Sequence, residues 1–419
     1  MSSVFDTLTE RGFVSQCSNE EGLRKLLDSE RVTFYIGFDP TSRSLQIGNL
    51  VQLILMSHLQ KAGHRPIALV GGGTTRIGDP SGKTEMRKIL PVETIQENAE
   101  RFRAQMKPIL DFSEGKALML DNAEWLAPLN YIEFLRDIGV HFSVNRMLTF
   151  EAYKLRLETG LSFIEFNYQI LQSFDYLTLF RRHGCRLQMG GDDQWGNIVA
   201  GMDLIRRVEG VEAFALTSPL VTRSDGRKMG KSEAGAIWLD AEMTRPYDFY
   251  QYWVNLPDDD VKQFFLRFTF LPVKEIDELC AARDQRINEA KRRLAMEITT
   301  LVHGETAARE AAAAARAAFG GNAAGSAGAD ADGADLSGVP SLEVPRAEVA
   351  NGVGVVDLFV RAGLCATKSD ARRLVTQGGA YVGGKDVADV EARVTEADVR
   401  DGSILLRAGK KRYFRIIVS

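Results

Sequence analysis

The chain has 419 residues, 45% of them hydrophobic, and a formal net charge of −4. That length supports two or three cored domains and excludes a single small module, and the near balance of charge means that a polyanionic partner must be met by a local basic surface. Cys17, Cys185, Cys280 and Cys365 show no CxxC spacing, His58, His64, His141, His183 and His303 show no ligand-like spacing, and no signal-like segment or long uncharged run occurs. A reduced, cytoplasmic protein with no metal site and no membrane association is therefore expected.

In chain order, Ser18 and Glu21 read as a capping box before a short helix marked by Leu23, Leu26 and Leu27. A strand from Val32 to Phe38, a helix to Lys61, a strand from Pro66 to Val70, a helix over Val92 to Lys107, a strand from Ala117 to Leu120 and a helix from Tyr131 follow. The alternation resumes with a helix from Phe163 to Arg181, a strand from Cys185 to Met189, a helix after Asp193 and a strand from Ala213 to Leu216. This rhythm predicts a doubly wound parallel sheet over 1–240, with its ligand beyond the carboxyl ends of the strands.

Beyond Thr244 helical periodicity takes over, through an Ala-rich run ending at Phe319, which predicts a helical domain over 241–319. Residues 320–341 are poor in apolar anchors and read as a flexible linker. The last part, 342–419, regains apolar periodicity. From 345 to 419 it carries 13 Lys plus Arg against 9 Asp plus Glu, reversing the sign of the whole chain.

Four stretches point to chemistry. Pro40 to Asn49 runs from a Pro-led turn into an apolar-periodic helix, so that Gly48 falls in a first turn, where unpaired N–H groups favour phosphate. Lys228-Met229-Gly230-Lys231-Ser232 sets two lysines three apart beside glycine, suited to phosphoryl charge. Gly71-Gly72-Gly73 and Gly78 to Lys83 follow a strand, with Lys83 and Arg87 in reach of phosphates; a plain Gly-rich turn is an equal reading there. Gly190 to Asn197 again joins a strand to a helix. Its paired Gly permits close approach of a ligand, Asp193 suits a ribose hydroxyl, and Gln194 suits a carboxylate or phosphate.

The helix from Phe163 adds a polar face to this set. Tyr168, Gln172 and Asp175 recur at i, i+4 and i+7 among apolar neighbours, and buried polar groups require partners. A polar small molecule with an amine and a hydroxyl is such a partner, and Tyr35, within the first strand, becomes relevant beside it.

Taken together, these strings resemble the bacterial-type tyrosyl-tRNA synthetases, class I aminoacyl-tRNA synthetases, along nearly the whole chain. Segment 40–49 looks like the family's HIGH region, 228–232 like its KMSKS loop in a Gly-containing form, and 190–197 like the tyrosine enzymes' own string. The resemblance implies a Rossmann-like α/β catalytic domain, then an α-helical anticodon-side domain and a small α+β RNA-binding domain.

It also implies roles for single residues. Tyr35 and Asp175 would bind the tyrosine phenol; Asp79, Tyr168 and Gln172 its ammonium; Gln194 its carboxylate. Gly37, Asp39, Pro40, Gly48, Gly191, Asp193 and Lys231 would hold ATP. Thr41, Lys83, Arg87, Lys228 and Lys231, with Gln46 and Asn49, would stabilise the departing pyrophosphate. ATP enters as substrate, with Mg2+ expected alongside it and no permanently bound cofactor. The partners implied are L-tyrosine, tRNA(Tyr) and a second copy of the chain.

The two HIGH histidines are here Gln46 and Asn49, which keep an N–H donor and lose the titratable charge. Activity is expected to survive the exchange. The tail resembles the compact S-four-like RNA-binding domain, with Lys368, Arg372, Arg373 and Lys385 set to meet phosphates. A tryptophan-specific enzyme and a silent RNA-binding paralogue are the competing readings.

Overall fold

The computed structural model describes residues 3–81, 90–222, 224, 229, 231–232, 235–281, 286–319, 339–409 and 412–419, with only the backbone at 231–232 and 318–319. The chain groups into two compact units, Met1–Thr244 with Asn255–Val302, and Arg245–Val254 with His303–Ser419.

The first unit is built on a six-stranded sheet: β1 (Gln16–Cys17), β2 (Thr33–Phe38), β3 (Arg65–Val70), β4 (Leu118–Asp121), β5 (Cys185–Gly191) and β6 (Phe214–Ser218), in the order β1-β6-β5-β2-β3-β4. Strands β2 to β6 pair in parallel and β1 is antiparallel to β6. The chain lays β2, β3 and β4 outward on one side and returns with β5 on the other side of β2. The order therefore reverses between β2 and β5, and a ligand crevice is expected beyond their carboxyl ends. The predicted strands lie within a residue or two of the observed ones. The two-residue β1 was not foreseen, since no periodicity shows in so short a piece; it is held by Ser15 N–H donating to the Thr217 carbonyl (2.9 Å).

Between β2 and β3 runs the helix Ile47–Lys61, buried on nearly every side by Leu50, Val51, Leu53, Ile54, Leu55 and Met56. Between β4 and β5 lies the helix Phe163–His183, begun by a capping box of Ser162 and Glu165 and stopped by Gly184 at φ +61°. It runs two residues beyond its expected end because the stop signal is that glycine. Arg156, from the preceding helix Glu151–Thr159, and Glu165 form a two-pronged ion pair (3.1 Å on each arm) with side chains only 4% and 2% exposed. The first capping expectation is corrected. The helix Glu20–Ser29 is capped by Asn19, whose Oδ1 accepts from Gly22 N–H (3.0 Å), while Ser18 Oγ accepts from Ala215 N–H (3.0 Å).

The second unit packs the helix Pro246–Val254 with Glu305–Phe319, whose Ala308, Ala311, Ala312, Ala314 and Ala315 are buried, small side chains that allow close approach. Its other part is a five-stranded sheet in the order Lys385–Asp386, Ala380–Val382, Ser403–Ala408, Arg412–Val418, Ser341–Val344, covered by the helices Val355–Arg361 and Lys368–Thr376. Val355, Leu358, Phe359, Ala371, Val375, Leu406 and Ile416 form its core.

Candidate active site

A cavity of about 530 Å³ opens at the carboxyl ends of β2 and β5. Its walls include Tyr35, Gly37, Asp39, Thr41, Gln46, Asn49, Asp79, Tyr168, Gln172, Asp175, Gly191 and Gln194, residues taken from five separate stretches of sequence.

At its floor lies Asp175, 2% exposed. Trp125 Nε1 donates to Asp175 Oδ1 (2.7 Å) and Asn122 Nδ2 to Oδ2 (2.9 Å). Burial pushes the Asp175 carboxyl up to about 8, against the pull of these two donors and with a further push from Asp39 and Asp121. Beside it the Tyr35 hydroxyl is buried and has no hydrogen-bond partner among the described residues. Its phenol is held well above the usual range, first by burial and then by the charge of Asp175. An unpaired buried hydroxyl is costly. Here it lines the same cavity as the Asp175 carboxyl, and the two together suit a hydroxyl-bearing ligand.

Higher in the cavity the Tyr168 hydroxyl donates to Asp39 Oδ2 (3.0 Å) and Thr74 Oγ1 to Asp39 Oδ1 (2.7 Å). Asn122 is the hinge of this network: its Nδ2 also donates to Thr74 Oγ1 (3.0 Å), and its Oδ1 accepts from Gly73 N–H (2.8 Å). On the β5 side Gln194 Nε2 donates to Asp79 Oδ2 (2.7 Å), and Asp79 Oδ1 accepts from Ser81 N–H (2.9 Å). Asp79, Tyr168 and Gln172 all line the cavity.

At the mouth, an added Cβ on Gly37 would meet nothing within 4 Å, so this strand end leaves open space for a ligand. At Gly191 a Cβ would come within 2.7 Å of Asp193 Oδ1, and Asp193 itself is exposed and outside the cavity walls. Asn49 Oδ1 accepts from Gln46 N–H (2.9 Å), fixing the start of the helix Ile47–Lys61, and both side chains line the cavity. Gln46 bridges to Trp238, and Leu239 N–H donates to the Leu45 carbonyl (2.9 Å). The 40–49 stretch is thereby joined to the chain just past Ser232, although some 190 residues separate them in sequence.

Three expected residues stand apart from the walls. Pro40 is buried behind them, its carbonyl accepting from Asn98 Nδ2 (3.0 Å), and Gly48 and Asp193 are exposed. Lys83, Arg87 and Lys228 lie outside the described residues, and Lys231 is described only by its backbone, paired with Ala236. Sequence reasoning missed Asn122, Trp125, Thr74 and Gln188. Only the alternation of β5 could have signalled one of them, since Gln188 stands opposite Tyr35 in register. Among the described residues no group of three or more His, Cys, Asp or Glu could hold a metal ion.

In the tail, Lys368, Arg372, Arg373 and Lys385 are all exposed. Lys368 pairs with Asp357 (2.6 Å) and Arg373 with Asp370 (2.8 Å), exposed pairs of the kind that contribute little to stability.

The profile of the "tRNA synthetases class I (W and Y)" matches residues 27–320, and that of the "Tyrosine--tRNA ligase SYY-like C-terminal domain" matches 334–416. The tyrosine--tRNA ligase of Acetivibrio thermocellus is 51% identical over 416 residues, 99% of each chain. The chain belongs to the tyrosyl-tRNA synthetase family. Another member, the tyrosine--tRNA ligase of Clostridium kluyveri, is 52% identical over 418 residues and the full length of both chains. Among solved structures, a C-terminally truncated mitochondrial tyrosyl-tRNA synthetase of Aspergillus nidulans matches with a TM-score of 0.67 at 29% identity, covering 74% of this chain and 93% of its own. The tyrosyl-tRNA synthetase of Archaeoglobus fulgidus, at 18% identity and a TM-score of 0.56, shares the fold.

Proposed function

We propose that this chain is a tyrosine–tRNA ligase that activates L-tyrosine with ATP and transfers it to tRNA(Tyr). The tyrosine carboxylate attacks the α-phosphorus of ATP and pyrophosphate leaves. A ribose hydroxyl of the 3'-terminal adenosine of the tRNA then attacks the carbonyl carbon and AMP leaves. No protein side chain becomes a covalent nucleophile, so the acceleration rests on positioning and on stabilising charge.

The observation that carries this reading is the buried pair at the cavity floor: an unpartnered Tyr35 hydroxyl beside an Asp175 carboxyl held by Trp125 and Asn122. A phenol satisfies both groups, whereas phenylalanine leaves both unpaired and an indole brings its N–H on a larger frame. Asp79, Tyr168 and Gln172 take the ammonium, and Gln194, already tied to Asp79, stands by the carboxylate. Gly37, Asp39 and Gly191 border the adenosine, with Asp193 at the ribose. Gln46, Asn49 and Thr41 offer donors to the phosphates, joined by Lys83, Arg87, Lys228 and Lys231. Mg2+ enters with the ATP as part of the substrate.

The functions divide along the chain, with catalysis in 1–240, the anticodon side in 241–319, and RNA binding by Lys368, Arg372, Arg373 and Lys385 in 342–419. The working form is a cytoplasmic homodimer. The dimer is supported by Ile132, Val140, Val144, Leu157 and Phe163, large apolar side chains that are each more than half exposed within one stretch of 32 residues. Among the described residues no helix is long and apolar enough to cross a membrane.

ATP–pyrophosphate exchange tests the reading. Tyrosine is expected to support exchange, and tryptophan or no added amino acid to give none. Exchange with tryptophan alone, or with neither amino acid, would sink it.

A further inference from the structure

The backbone at Ser224, four residues before Lys228 in sequence, is held from a distance by one buried carboxylate. Asp260 ends the short turn Asp258–Asp260 and stands at the N-cap of the helix Val261–Phe268. An aspartate there ordinarily turns onto the free N–H groups of the first helical turn. This one makes no such cap. Its Oδ1 accepts instead from the backbone N–H of Ser224 (2.9 Å), 36 residues away, and from Nε2 of Gln263 (2.7 Å). The residue is 0% exposed and its Oδ2 has no hydrogen-bond partner among the described residues. A buried carboxylate with one oxygen unmatched is costly wherever a cap or an amide would serve. On the other side of Lys228, Met229 N–H donates to the Val221 carbonyl (3.0 Å). In sequence Lys228 falls between two anchored backbone positions, Ser224 and Met229, and Asp260 is the anchor of the first.

We infer that Asp260 is a positioning residue for the pyrophosphate-side lysines. By fixing the backbone at Ser224 it sets the origin from which Lys228 and Lys231 reach the phosphates. This rests on the proposed function for its kinetic consequence and on the structure alone for the anchoring itself. A purely structural tie would lower stability and carry tyrosine binding and turnover down together. A positioning role separates the two, because tyrosine sits on the Tyr35 and Asp175 side of the cavity.

The test uses the full chain with two readouts: tyrosine-dependent ATP–pyrophosphate exchange, and amide hydrogen exchange of the peptide 221–232. In Asp260→Ala the kcat is expected to fall about ten- to hundredfold, the scale of a misplacement of about 1 Å. The tyrosine KM should stay within about twofold, and the 221–232 amides should exchange faster. Asp260→Asn keeps the acceptor oxygen and should recover most of the rate. Ser224→Pro removes the donor at an exposed position and should reproduce the loss, with the double variant no worse than either single one; it carries the test if Asp260→Ala fails to fold. Unchanged 221–232 amides, an unchanged kcat, or a parallel fall of tyrosine binding and turnover would overturn the inference. A wild-type chain inactive with tyrosine would overturn the proposed function instead, leaving the amide readout to decide the anchoring.

Discussion

In the proposed reaction Asp175 selects the substrate, and Trp125 and Asn122 hold its carboxyl. Its carboxyl is raised from 3.8 to about 8 by burial, so the folded free protein holds a proton there that the unfolded chain releases near pH 4. The stability linked to this group is complete below about pH 4 and is lost as pH rises through about 8. Asp175→Asn has no such proton, so its melting temperature between pH 5 and pH 9 is expected to fall less than that of the wild type; equal slopes would count against the assignment. Trp125→Phe removes one donor to the carboxyl, and a lost hydrogen bond to a charged or polarised group costs about 1.5–3 kcal/mol. Its tyrosine KM in the exchange assay is expected to rise by at least tenfold with the fold intact. The i, i+4, i+7 spacing made Tyr168, Gln172 and Asp175 legible from sequence, because a single helix face carries all three. Asn122 and Trp125 were not legible. They reach Asp175 from the turn after β4, some 50 residues earlier, and no local period registers a contact made across the sheet.

Elements show the same division between local and distant causes. The parallel strands and their helices were readable because each carries its own apolar period, while β1 and the Asn19 cap were missed because a neighbouring strand decides them. Ser18 had the capping chemistry, but its hydroxyl is taken by Ala215 of β6. The start of the helix Ile47–Lys61 has a local cause. Asn49 accepts from Gln46 N–H, so a residue standing where the family's pattern has histidine also fixes the helix end at the cavity wall. Asn49→Ala is expected to cost about 1 kcal/mol of stability, the usual worth of such a bond, seen as a lowered melting temperature. Its exchange kcat should also fall, since an amide donor leaves the cavity. The native pair should sustain adenylation. Activity undetectable in the native chain and restored by Gln46→His with Asn49→His would contradict that expectation.

At the scale of the whole molecule, charge and apolar exposure are each concentrated where one partner would need them. The chain as a whole is acidic, yet the tail presents Arg372 and Lys385 exposed beside two lightly held ion pairs. Arg372→Glu with Lys385→Glu should raise the tRNA KM and make its growth with salt less steep, because fewer counterions are released. Tyrosine-dependent exchange should be untouched. The exposed apolar stretch makes a separate prediction: Ile132→Asp with Val140→Asp should convert a sedimenting dimer to monomer, and a wild-type chain that sediments as a monomer would contradict the homodimer. The most direct test of the central claim, that Tyr35 and Asp175 select a phenol, is the ratio of kcat/KM for tyrosine over phenylalanine in the exchange reaction, in wild type and in Tyr35→Phe. The account predicts a strong preference for tyrosine that drops about tenfold in the variant, the worth of one hydrogen bond. A ratio that does not change when the Tyr35 hydroxyl is removed would contradict it.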